Sequence, residues 1–144
     1  MNPVSFLAGK LARVATAPTA RHFEHSLHAP RRSQARILRR ILSDASRCEL
    51  GCSRNLQAED GLAEFREKVA LSTYEDYRPL MERTVFGGES GVISPHRIVR
   101  VEATSGSTSG VKWIPYTPRM MRTFSRMFAL WSHDLLASGI YRPR

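Results

Sequence analysis

Cysteine is nearly absent: Cys48 and Cys52 are the only two in 144 residues, and no second pair exists to complete a four-ligand zinc site. They read as free thiols of a reducing compartment, so the expected location is cytoplasmic. Long apolar runs are also missing. Charged residues interrupt every hydrophobic stretch well short of the roughly 20 residues a membrane span requires, so no membrane span and no membrane partner is expected. Low-complexity repeats are lacking too, and 42% apolar with 24% charged residues is an ordinary globular balance. The length suits one small domain at most.

Acidic residues are scarce, with 13 Asp plus Glu against 22 Lys plus Arg, for a formal charge of +9. The imbalance is local. Residues 1–54 hold 10 basic and 3 acidic side chains, and residues 55–144 hold 12 and 10. Such an excess suits phosphate, an acidic membrane surface or an acidic partner. The chain has no zinc-finger spacing, no basic region followed by heptads and no aromatic RNA-binding signature, so nucleic acid is not the expected ligand. His22, His25 and His28 recur every third residue, but no carboxylate or cysteine accompanies them at ligand spacing. They read as a solvated face, and no metal site is assigned.

Residues 1–21 form a basic amphipathic N-terminal segment, distinct from the remainder, 22–144. Its Lys10, Arg13 and Arg21, many hydroxyls and lack of acids resemble an organelle transit peptide. Val4, Leu7, Leu11 and Val14 follow helical spacing, so an ordinary amphipathic helix accounts for it equally well. After Ala29-Pro30, Ser33 reads as an N-cap for a helix with Leu38, Ile41, Leu42 and Ala45 on one stripe and arginines outside. A short helix is expected from about Asp60, with Glu64 and Lys68 forming an i,i+4 pair. Ser72 or Thr73, with Glu75 or Asp76 three residues on, forms a capping box for the next helix, which Gly87-Gly88 closes. Ile98-Val99-Arg100-Val101 reads as a strand. Thr117-Pro118 opens the longest helix, with Met121, Phe124, Phe128, Trp131 and Leu135 on one face and Gly139 as its cap.

Chemistry concentrates after the expected strand, in Thr104-Ser105-Gly106-Ser107-Thr108-Ser109-Gly110-Val111-Lys112. Glycines let backbone N–H groups converge on an anion, hydroxyls add donors, and lysine adds a point charge. The spacing is not that of the common P-loop, which needs four residues between its glycines and a lysine directly after the second. Here three residues separate Gly106 from Gly110, and Lys112 stands two beyond.

TSGSTSGVK resembles the phosphate loop of adenylate-forming enzymes. The continuation Trp113-Ile114-Pro115-Tyr116-Thr117 is similar to that of the acyl acid-amido synthetase family named for auxin-responsive promoters. Upstream, Phe65-Arg66-Glu67-Lys68-Val69, the run from Tyr74 to Arg83, and Gly88-Glu89 resemble the same family in order and spacing, as does the helix from Gln34 to Leu42. Ser107 stands where the family usually has threonine.

The resemblance implies an α/β fold, the helix-rich N-terminal portion of a larger adenylate-forming domain with an incomplete sheet. It also implies a two-step ligation: a carboxylate attacks the α-phosphate of ATP, used with magnesium, and an amino acid's amine then displaces AMP. Ser105, Gly106, Ser107, Thr108, Ser109, Gly110 and Lys112 would hold the ATP phosphates. The partners so implied are ATP, a carboxylic acid and an amino acid. An ionised carboxylate needs no general base, so no catalytic residue is assigned, and Glu75, Asp76 and Glu82 read as cap and surface charges. The magnesium ligand is not expected in these residues, and activity of the chain alone is not expected. The alternative is a small basic helical module that binds an anionic partner, such as nucleic acid, through residues 31–40.

Overall fold

Proline placement explains the first helix boundary. In the computed structural model, which describes residues 3–105 and 110–138, α1 spans Pro3–Leu27 and α2 spans Pro30–Ala45. Pro30 occupies the first helical position, where its missing N–H costs nothing, so α2 starts there and Ser33 lies inside the helix rather than capping it. Pro18 is accommodated within α1, at the loss of one backbone hydrogen bond.

Three short helices follow: α3 (Glu49–Cys52), α4 (Leu62–Lys68) and α5 (Tyr74–Val85). The strands are β1 (Arg100–Ala103) and β2 (Trp113–Tyr116), and α6 spans Pro118–Ala137. The strand expected from Ile98 is displaced by two residues, and β2, which the sequence reading did not anticipate, pairs with it antiparallel. The architecture is therefore α/β and helix-rich, with a two-stranded, incomplete sheet.

The chain divides into two compact units: residues 1–30 with 120–144, and residues 31–119. In the first, α1 and α6 touch through side chains. The Cβ position of Gly9 lies 3.8 Å from Leu136, and the Thr16 hydroxyl lies 3.1 Å from His133 Nδ1. Ala20, on the same side of α1 as Gly9 and Thr16, is buried.

The second unit is built around Leu42, which is fully buried, with Cys48, Leu56 and Val92 also in its core. Of the stripe expected on α2, Leu42 is enclosed, Leu38 is half-buried, and Ile41 faces solvent. Glu49 N and Leu50 N donate to the carbonyls of Gly91 and Val92, tying α3 to that segment. Arg83 on α5 grips Glu49 through two bonds of 2.7 and 2.8 Å and also reaches Glu89. These carboxylates hold the Arg83 guanidinium above its usual pKa.

The expected Glu64–Lys68 pair does not form. Lys68 Nζ instead bonds both oxygens of the buried Asp60 carboxylate, at 2.8 and 2.7 Å. Glu64 turns back to accept the Gly61 N–H at 3.0 Å. A buried carboxylate needs a counter-charge more than an exposed one does.

Candidate phosphate-binding hairpin

The Thr104–Lys112 segment is the connection of an antiparallel hairpin. Residue pairs Arg100/Tyr116, Val101/Pro115, Glu102/Ile114 and Ala103/Trp113 set its register. Pro115 lacks an N–H, which a two-stranded ribbon tolerates because each strand is an edge. Beyond the last pair, Thr104 N donates to Lys112 O at 2.9 Å, and Lys112 N donates to Thr104 Oγ1 at 3.3 Å. The loop is thus tied at its neck by the first hydroxyl and the lysine of the motif.

Ser105, Gly110 and Lys112 of the expected phosphate site lie at this neck; Gly106, Ser107, Thr108 and Ser109 lie outside the described residues. Gly110 has φ +80° with nothing within 4 Å of its Cβ position, so the requirement for glycine there is conformational rather than steric.

Helix α5 buttresses the neck. Asp76 accepts hydrogen bonds from Thr73 N (2.7 Å) and Thr73 Oγ1 (3.0 Å), fixing the start of the helix as the capping-box pattern predicts. These bonds hold the Asp76 carboxyl below its usual pKa. The first helical residue, Tyr74, then accepts the backbone N–H of Trp113 at 2.9 Å. Its ring has the Lys112 ammonium 5.9 Å and the Arg78 guanidinium 5.3 Å from its centroid. Phe86, just past α5, meets Trp113 edge-to-face at 5.3 Å.

Charge around the neck is partly balanced. Arg78 binds Glu75 at 2.6 and 2.8 Å, and Arg78, with a smaller contribution from Lys112, holds the Glu75 carboxyl below its usual value. Lys112 makes no ion pair among the described residues. On the strands, Tyr116 donates to Glu102 at 2.9 Å, which raises the phenol's pKa, and Arg100 pairs with the same carboxylate. The sequence reading missed Tyr74 and Arg78 as neighbours of the loop; Tyr74 opening a capped helix gave no sign of a partner 39 residues away.

A cleft of about 400 Å³ lies beside β1, lined by Thr84, Gly88, Val92, His96, Arg97 and Arg100 among others. None of its lining belongs to the loop. Asp44 is contacted by Arg47, Arg119 and His96. Among the described residues there is no group of three or more His, Cys, Asp or Glu arranged to hold a metal ion.

A hydroxyl- and glycine-rich connection with a lysine at its neck, set in a helix-rich α/β framework with a two-stranded, incomplete sheet, is what the structure places at the candidate site. Comparison with known proteins makes this specific. The sequence model of the GH3 family N-terminal domain matches residues 19–143, and the chain belongs to that family. It is 28% identical over 110 residues to a probable indole-3-acetic acid-amido synthetase, GH3.2, of Oryza sativa subsp. japonica. It is 27% identical over 110 residues to the indole-3-acetic acid-amido synthetase GH3.8 of Oryza sativa subsp. indica. Each match covers 76% of this chain but 18% of the relative.

Proposed function

We propose that this chain carries the ATP phosphate-binding loop of a cytoplasmic, ATP-dependent acyl acid-amido synthetase. The observation that carries the reading is the hairpin itself. A segment of five hydroxyls and two glycines is closed at its neck by Thr104 and Lys112, in a chain of the GH3 family. The donor set fits phosphate: Ser105, Ser107, Thr108 and Ser109 offer hydroxyls, Gly106 and Gly110 offer close backbone approach, and Lys112 offers an ammonium without a carboxylate clamp.

In the whole enzyme, a carboxylate oxygen attacks the α-phosphorus and pyrophosphate leaves. An amine then attacks the acyl carbon, AMP leaves, and the nitrogen gives up a proton. Magnesium, when bound, would neutralise phosphate charge, and no described residue of this chain is assigned to it. The part of these residues is to hold the phosphates in line and to balance the charge that develops on the leaving group. Tyr74 would position Lys112 and the neck, with Arg78 against the same ring.

Isothermal titration of the 144-residue chain with magnesium-ATP tests the reading. ATP binding that falls about ten-fold in Lys112→Ala, with the circular dichroism spectrum unchanged, supports it. Binding indifferent to that substitution refutes it, and salt-sensitive binding of duplex DNA in its place would favour the basic helix α2. Acid-dependent ATP–pyrophosphate exchange is not expected from these residues alone, because the relatives' activity belongs to chains of which this one spans 18%.

A further inference from the structure

The first helix buries the wrong face for an ordinary amphipathic helix. Gly9 and Thr16 meet Leu136 and His133 of α6, and Ala20 on the same side is buried. At roughly 100° per residue, Val4, Leu7, Leu11 and Val14 fall on the opposite side, and they are 58–71% exposed. Four large aliphatic side chains in a row, turned to water by the fold itself, mark an interaction surface. The stripe also lies before residue 19, where the family match begins, so it is not part of the matched domain.

A basic cleft adjoins the stripe. About 460 Å³ in volume, it is lined by Lys10, Arg13, Arg21 and His133, with Val14 at its border and Glu24 as its one carboxylate. The Thr16 hydroxyl donates to Ala12 O at 2.8 Å, so it can accept from His133 Nδ1 at 3.1 Å, and this fixes the imidazole in the cleft wall. Val14 belongs to both features: an apolar strip and a cationic recess meet along one helix.

We propose that α1 docks on an anionic phospholipid surface, with the Val4, Leu7, Leu11 and Val14 stripe at the acyl boundary and the headgroup phosphate in the Lys10, Arg13, Arg21 and His133 cleft. The joint pattern selects the occupant. Nucleic acid would use the cations and leave the aliphatic stripe wet, and a second copy would use the stripe and leave like charges facing each other. A helix lying in the interface with cations beside its apolar face uses both. No helix among the described residues is long and apolar enough to cross a membrane, and surface docking requires none.

Vesicle co-sedimentation of the full chain tests this, with phosphatidylcholine alone against phosphatidylcholine containing 30% phosphatidylserine. Binding should be at least ten-fold tighter to the anionic vesicles and should weaken with salt. Leu7→Ser with Leu11→Ser should lower it at least ten-fold, and Arg13→Gln with Arg21→Gln about 25-fold, since each surface cation contributes about five-fold. All four side chains are exposed, so helicity should be unchanged.

Equal binding to the two vesicle types, or binding indifferent to the leucine pair, overturns the proposal. So does equally tight binding of soluble glycerophosphoserine by the leucine variant, which would make the cleft a free-phosphate site. A concentration-dependent dimer lost with the leucines, without vesicle binding, would assign the stripe to a second copy. Removal of the segment by isolated mitochondria would make it an import signal.

Discussion

Gly51 sits where no other residue fits. A Cβ added there would stand 2.0 Å from the carbonyl oxygen of Ala45 and 2.4 Å from its carbonyl carbon, against a normal carbon–oxygen approach of about 3.3 Å. Both obstacles are backbone, so no rotamer change relieves them. Helix α3 would have to retreat from the end of α2 by about 1 Å. That movement strains the Cys48 N to Ala45 O bond and the bonds that Arg54 N and Leu56 N make to Gly51 O. Overpacking of this kind costs about 1–3 kcal/mol, and each backbone bond lost adds about 1 kcal/mol. Gly51→Ala should therefore destabilise the fold by about 3–5 kcal/mol, lowering the melting temperature by about 10–20 °C in a chain of this size. Thermal unfolding followed by circular dichroism at 222 nm measures it. Gly9→Ala is the control: its Cβ would meet only Leu136, at an ordinary 3.8 Å, and alanine is favoured within a helix by about 1 kcal/mol. A Gly51→Ala melting temperature within about 2 °C of the parent would refute the clash and the packing of α3 against α2 on which it rests.

Two further outcomes follow from the hydrogen bonds. Lys68 and the Gln57 N–H hold the Asp60 carboxyl below its ordinary value, so the stability it contributes is complete above about pH 4 and is lost as pH falls through the depressed folded value. Asp60→Asn should lower stability at pH 7 and flatten the decline below pH 4 in urea titrations; an unchanged pH profile would count against the buried pair. Tyr74→Phe removes the acceptor of Trp113 N, worth about 1 kcal/mol, so the Trp113 amide should exchange with solvent about five-fold faster by NMR. Exchange at the parent rate would mean that α5 does not brace the hairpin.

Much of the framework was legible because it depends on neighbours in sequence. Asp76 three residues after Thr73 caps α5, Pro118 at the first position opens α6, and apolar spacing marks α6. The position of the loop was legible for a similar reason: hydroxyls and glycines closely spaced after a β-branched run mark a connection, and the adjoining residues carry the family. The shift of α2 back to Pro30 shows the limit even of local reasoning. Proline at the first turn and serine at a cap are both permitted starts, and the sequence does not rank them.

What the sequence determined by itself was therefore short-range: helix starts, the hydroxyl- and glycine-rich composition of the loop, and the family. Tertiary structure decided which partner each side chain took. Lys68 went to Asp60 rather than Glu64 because burial raises the need for a counter-charge. Trp113–Tyr116 became a strand because it could pair with Arg100–Ala103, and Tyr74 reached Trp113 across 39 residues. Most of all, periodicity marks Val4, Leu7, Leu11 and Val14 as one face of a helix without saying which face is covered. In the structure Gly9 and Thr16 meet Leu136 and His133 of α6 while the aliphatic face lies in solvent.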